Sequence, residues 1–144
     1  MASLVFSPSH ADAKLLRATQ LRIAGNAAAR EGRLHHAIEL YSEGLALGPP
    51  AGQHLLLSNR SGVRLAASDA AGALADAEAA AACSPRKFTT AAVRQAEALL
   101  ALGRPQSALD VLDAACCAQA GFADSEVFRA LSRTATAALQ KVHS

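Results

Sequence analysis

The amino-acid sequence predicts an all-α protein built as a solenoid of three helical hairpins followed by a C-terminal capping helix. Hydrophobic residues make up 51% of the 144 residues and aromatic residues only 3%. The alanine and leucine that dominate this composition favour helices over sheets. Three consecutive segments, 18–51, 54–87 and 89–122, superimpose at a spacing of about 34 residues, which is typical of stacked helical repeats.

Each of the three segments reads as two helices joined by a turn. In the first segment, apolar or small residues recur at helical intervals on both sides of Gly32, which separates the two helices. Ala37, Ala73 and Ala108 occupy the same position in the three repeats, where a small side chain lets neighbouring helices approach closely. One or two extra residues separate successive repeats beside prolines, where helices must end. These insertions therefore fall in loops and leave the repeat intact.

The C-terminal segment predicts a seventh helix at about 125–142, with Asp124 or Ser125 as its N-cap. Its apolar residues return every three or four positions: Val127, Leu131, Ala135, Ala138 and Val142. A terminal repeat of a solenoid exposes an apolar face unless another element covers it. We therefore expect this helix to cap the array, within a repeat domain over 11–144 that follows a flexible N-terminus over 1–10.

Composition and charge exclude several classes of function. A net charge of +2 with 18% charged residues is too weak a bias for a nucleic-acid binder. The weakly polar run 66–82 contains four polar or charged residues and cannot span a membrane. Cys83, Cys116 and Cys117 form an odd set whose adjacent pair would point about 100° apart on a helix, which suits neither a disulfide nor a metal site. Without signal-peptide or transit-peptide features in the first ten residues, we expect a cytoplasmic protein.

No combination of residues predicts catalysis or a metal site. None of the histidines shares a helix face with a cysteine or carboxylate at ligand spacing: His10, His35, His36, His54 and His143. Ser58, Ser61 and Asp69 lack both a histidine partner and a glycine-flanked nucleophile turn. The sequence therefore predicts a binding protein that is not an enzyme and needs no cofactor.

Two short sequence motifs resemble a known protein family more specifically than the helical repeat alone does. They are Gly25-Asn26 in the first repeat and the run 57–61, Leu-Ser-Asn-Arg-Ser, in the second. With these motifs, the chain over about 18–142 resembles the tetratricopeptide-repeat family, and within it the carboxylate-clamp domains of co-chaperones. The resemblance implies a right-handed solenoid whose concave groove holds the acidic C-terminal Glu-Glu-Val-Asp of the ninety- or seventy-kilodalton heat-shock chaperones.

The resemblance also implies which residues bind that tail. Clamp domains carry a basic residue and, four positions later, an asparagine in the first repeat, which correspond to Arg22 and Asn26 here. They carry an asparagine in the second repeat, matched by Asn59, and a lysine with an arginine four positions later in the third. Arg94 matches that arginine, but Thr90 stands where the lysine is expected, which weakens the attraction for a dicarboxylate end. Lys87, three residues earlier, is a candidate substitute.

The spacing of these residues makes chemical sense in its own right. Residues four apart lie on one helix face about 6 Å from each other, so Arg22 and Asn26 project toward the same side. A buried anion needs several donors, which the arginine fork and the neutral asparagine amide can supply. Glu97 lies three residues after Arg94 and either orients that arginine through an ion pair, which we favour, or repels an acidic peptide.

Two further expectations concern the remaining arginines and the alternative function. Arg60, Arg64 and Arg104 are predicted to lie on surfaces, with the stem of Arg60 packing between helices. The alternative to tail binding is a helical scaffold for protein assembly that ignores chaperone tails, which Thr90 and the alanine-rich second repeat favour. The oligomeric state and the preferred chaperone stay open.

Overall fold

A computed structural model describes residues 9–85 and 88–142 and has no β-strand within those ranges. Each predicted repeat is one pair of α-helices, and a 3-10 turn at Phe122–Asp124 precedes the last helix. None of the helices in these two ranges is long and apolar enough to cross a membrane. The helices are α1 His10–Arg30, α2 Leu34–Ala46, α3 Gln53–Ala66, α4 Ala70–Cys83, α5 Thr90–Ala101, α6 Pro105–Ala118 and α7 Glu126–Val142.

The contacts between helices define the curvature of the array. Each hairpin packs its two helices together and then packs its second helix on the first helix of the next hairpin. The first helices α1, α3 and α5 also contact one another in sequence, and α5 contacts α7. In the described part of the chain the second helices α2, α4 and α6 make no such mutual contacts. The first helices therefore line the inner, concave side, and the second helices fan out on the convex side.

The first and the last helix each begin at a capping residue. At the start of α1 the Ser9 hydroxyl accepts the backbone N–H of Asp12 at 3.1 Å, and the Asp12 carboxylate accepts the Ser9 N–H at 3.3 Å. The predicted flexible N-terminus over 1–10 overlaps the start of α1 at Ser9 and His10, and the rest of it lies outside the described residues. At the start of α7, the Ser125 hydroxyl accepts the backbone N–H of Phe128 at 3.2 Å, so Ser125 rather than Asp124 is the N-cap of this helix.

The core depends on small residues at the helix crossings. Ala37, Ala73 and Ala108 are each 0% exposed, as a shared close-packing position requires. At Gly25 an added Cβ would lie 2.5 Å from the Cε1 atom of Tyr41. Only glycine therefore lets the ring of Tyr41, itself almost fully buried, lie against α1. This contact fixes the position of the Tyr41 hydroxyl.

A buried ion network corrects the prediction that Arg60 and Arg64 lie on surfaces. Asp76 of α4 is only 4% exposed and accepts the Nε and Nη2 groups of Arg60 at 2.8 and 2.7 Å. Arg64 donates to the same carboxylate at 3.0 Å, and Arg60 also donates to the Ser42 hydroxyl at 3.0 Å. Because Arg60 and Arg64 lie on the face of α3 that packs against α4, their charges are paired inside the solenoid and join α2, α3 and α4.

Candidate functional site

Three helices bring polar side chains to one hollow on the concave side. Asn26 of α1, Asn59 of α3 and Arg94 of α5 line a hollow of about 330 Å³. Arg30 and Tyr41 line it as well. Three of the six residues that the sequence singled out therefore lie together, although neighbouring members are separated by about one full repeat along the chain.

Asn26 is the centre of a hydrogen-bond network in this hollow. Its Oδ1 atom accepts the hydroxyl of Tyr41 at 2.6 Å and the Nδ2 group of Asn59 at 2.9 Å. Two donors on one oxygen fix the orientation of the Asn26 amide, because the Nδ2 side could not accept them. No acceptor within residues 9–85 and 88–142 is bonded to Nδ2 of Asn26. The network thus holds a donor ready for an acceptor from outside.

Arg94 reaches the hollow by lying across the backbone of α3. A Cβ added at Gly62 would lie 2.9 Å from the Cζ atom of Arg94, so the guanidinium lies directly against the α3 backbone at this glycine. The ion pair with Glu97 that the spacing predicts is present, with Nη1 at 3.5 Å from both carboxylate oxygens. These hydrogen bonds are long, and the buried Nε has no partner in the described part of the chain. Arg94 is therefore positioned but only weakly satisfied.

Electrostatics around Tyr41 indicate which charges surround the hollow. Burial raises the pKa of Tyr41 above its usual value, while the positive charges of Arg22, Arg94 and Arg30 act to lower it. Arg30 and Arg94 line the hollow together with Tyr41, and Arg22 lies on α1 two turns before Arg30. The only one of them with an ion pair among the described residues is Arg94, with Glu97. The hollow therefore carries a surplus of positive charge that suits an anionic ligand.

The other predicted residues lie in neighbouring places. Arg22 lies one turn before Asn26 on α1 and lines a separate hollow against α3, beside His54. Thr90 lines a third hollow between α5 and α7, which it shares with Arg94 and Phe122. Lys87 lies outside the described residues. The structure thus adds no cation at the start of α5 within the residues it describes.

Sequence reasoning missed Arg30 and Tyr41. Arg30 follows Asn26 by four residues, so the spacing that joined Arg22 to Asn26, applied once more, places it on the same face of α1. Tyr41 gives no such signal, because its role depends on how α2 packs against α1.

The pKa of Tyr41 offers a direct measurement of these charges. Tyr41 is the only tyrosine, so the near-ultraviolet absorbance of phenolate reports it alone. We expect a pKa above the usual value of about 10 and a further rise in Arg22→Ala, because a cation that stabilises the phenolate is lost. The folded state holds the Tyr41 proton more tightly than the unfolded state does. The resulting contribution to stability is fully present below a pH of about 10 and is lost as the pH rises through the folded pKa.

A control separates this local effect from a change in net charge. Arg104 lies just before α6 and is exposed. Arg104→Ala should leave the titration of Tyr41 unchanged. A lower pKa in Arg22→Ala would contradict the arrangement of charges described above.

Comparison with known proteins identifies the fold. No protein-family model matches the chain. Among solved structures, the first TPR domain of Spaghetti (RPAP3) bound to HSP90 peptide SRMEEVD has a TM-score of 0.77 and 23% identity, covering 88% of this chain and 95% of that chain. The Sgt2 TPR domain from Aspergillus fumigatus has a TM-score of 0.78 and 24% identity, with 88% and 81% covered. The TPR2B domain of yeast Sti1 in its pHsp70 complex has a TM-score of 0.75 and 25% identity, with 88% and 98% covered. The predicted architecture is confirmed: the chain has the tetratricopeptide-repeat fold of these domains.

Proposed function

We propose that this protein captures the acidic C-terminal Glu-Glu-Val-Asp tail of a ninety- or seventy-kilodalton heat-shock chaperone, as an adaptor without catalytic activity. The observation that carries the proposal is the convergence of Asn26, Asn59 and Arg94 from three successive hairpins on one positively charged hollow. Solved neighbours bound to an HSP90 peptide and to pHsp70 support it. Three free cysteines support a reducing compartment such as the cytoplasm.

The donors suit a chain end that terminates in aspartate. Such an end carries an α-carboxylate and a side-chain carboxylate, which together need several donors once water is displaced. The guanidinium of Arg94 can bind a carboxylate through two parallel hydrogen bonds. The amides of Asn26 and Asn59 add neutral donors. The free tail is disordered and must be ordered on binding, so we expect micromolar affinity, about −8 kcal/mol.

The proposal is tested with a peptide ending in Glu-Glu-Val-Asp and its C-terminally amidated form. The chain has one tyrosine and no tryptophan, so intrinsic fluorescence reports Tyr41, which lines the hollow. We expect a saturable fluorescence change with the free acid that weakens as salt is added. Amidation should weaken binding by about 10- to 100-fold, because it removes charge-assisted hydrogen bonds.

A peptide of the same composition with its last four residues reordered to end in valine is the matched control. It keeps the charges and the terminal carboxylate but moves the aspartate away from the chain end, and should bind more weakly than the original. Equal binding of the free and amidated peptides, or no saturable change with either, would contradict tail capture. The second result is the one expected of a scaffold that ignores chaperone tails.

A further inference from the structure

Arg30 is the last residue of α1 and lies at the edge of the same hollow as the predicted clamp residues. It lines that hollow together with Asn26, Asn59 and Arg94. Its charge acts on the Tyr41 hydroxyl, which itself bonds to Asn26. The guanidinium is therefore within electrostatic reach of the atoms that would hold a ligand.

Arg30 has no carboxylate partner in the ranges 9–85 and 88–142. The nearby Arg33 instead pairs with Glu31 at 3.6 Å, and Arg94 is held by Glu97. Arg30 is also exposed, so its side chain can follow a ligand without leaving a buried contact. These features distinguish it from an arginine that stabilises the fold.

Helix α5 supplies a single cation to the hollow, and a carboxylate offsets part of its charge. Thr90 contributes a neutral hydroxyl and lines the hollow between α5 and α7. Arg94 is the arginine that α5 sends into the hollow, and Glu97 offsets part of its charge. A ligand with several carboxylates needs positive charge from another element, and α1 carries it at Arg30.

We propose that Arg30 binds a side-chain carboxylate of the acidic tail, so that α1 supplies the positive charge that Thr90 does not; this inference rests on the proposed function. Residues Arg22, Asn26 and Arg30 follow one face of α1 in steps of about 6 Å. In an extended peptide, side chains two residues apart lie on one side at about 7 Å. When Asn26 and Asn59 hold the terminal aspartate, the glutamate two residues before it reaches Arg30.

The test compares Arg30→Ala with Arg33→Ala in the full chain. Both variants remove one positive charge near the end of α1, but Arg33 does not line the hollow. We expect Arg30→Ala to weaken binding of the Glu-Glu-Val-Asp peptide about fivefold, as for a partly exposed ion pair. Arg33→Ala should leave it unchanged, and Arg30→Lys should keep most of the affinity.

A second peptide tests which carboxylate of the tail Arg30 binds. In Glu-Gln-Val-Asp the glutamate two residues before the end is neutral, and the wild-type chain and Arg30→Ala should bind it equally. The inference would be overturned if Arg30→Ala lost as much affinity for this peptide as for the original one. It would also be overturned if Arg30→Ala bound the original peptide as tightly as Arg33→Ala does. Tail capture would stand in both cases. Absence of binding by the wild-type chain would overturn both.

Discussion

Replacing Asp76 by alanine is expected to lower the free energy of unfolding by about 3–5 kcal/mol, the cost typical of removing one partner from a buried ion pair. The Asp76 carboxylate accepts three hydrogen bonds, two from Arg60 and one from Arg64. Their side chains are only 17% and 26% exposed. Alanine would leave Arg60 without a carboxylate and Arg64 with only Asp69, at 4.0 Å. A partly buried charge without a close counterion is costly.

Urea denaturation followed by circular dichroism measures this effect. Asp113→Ala is the matched control, because Asp113 lies exposed on α6 and its removal changes the net charge equally. Asp76→Asn keeps the size of the side chain and separates loss of charge from loss of packing. A loss below about 1 kcal/mol in Asp76→Ala, comparable with ordinary surface substitutions, would mean that the two arginines find water or other partners.

Loss of the Asp76 network is also expected to affect the candidate site, because α3 carries both Arg60 of the network and Asn59 of the hollow. Asn59 directly precedes Arg60, so the network that holds Arg60 against α4 also sets the rotation of α3 about its axis. The side chain of Asn59 points about 100° away from that of Arg60 around α3, and the same rotation turns it toward Asn26. The buried ions therefore contribute to positioning a ligand donor as well as to stability.

The repeat architecture could be predicted from the sequence because its determinants are local. Helical periodicity, turn residues and a repeated small residue such as Ala73 recur within about 34 residues. The start of α7 was predicted to within one residue for the same reason, since its cap at Ser125 is a contact with the next turn. Residues of the hollow such as Asn26 and Asn59 came from the resemblance.

What the sequence did not reveal depends on contacts between helices. Asp76 looked like an interruption of an apolar run, and its arginine partners lie 12 and 16 residues away on α3. The bond from Tyr41 to Asn26 spans 15 residues and two helices. Neither pairing follows from spacing along one helix, because each depends on the relative rotation of two packed helices.

Asn26→Asp is expected to weaken tail binding by about 100-fold while preserving the fold. Aspartate has nearly the same shape, and its carboxylate still accepts the Tyr41 hydroxyl and the Asn59 amide. It cannot donate, so a hydrogen bond to a charged ligand worth about 1.5–3 kcal/mol is lost. It also places a negative charge next to the tail carboxylates, which adds repulsion of about 1 kcal/mol or more at 4 Å.

The matched control for Asn26→Asp is Gln20→Glu, which adds the same charge to an exposed position of α1. Titration of Tyr41 fluorescence with the Glu-Glu-Val-Asp peptide, together with urea denaturation, measures both expectations. Gln20→Glu should bind nearly as the wild type does, because screening by salt weakens a charge outside the hollow. If Asn26→Asp kept its affinity within threefold, the Nδ2 group of Asn26 would not face the ligand, and the hollow would have to bind carboxylates through its arginines alone.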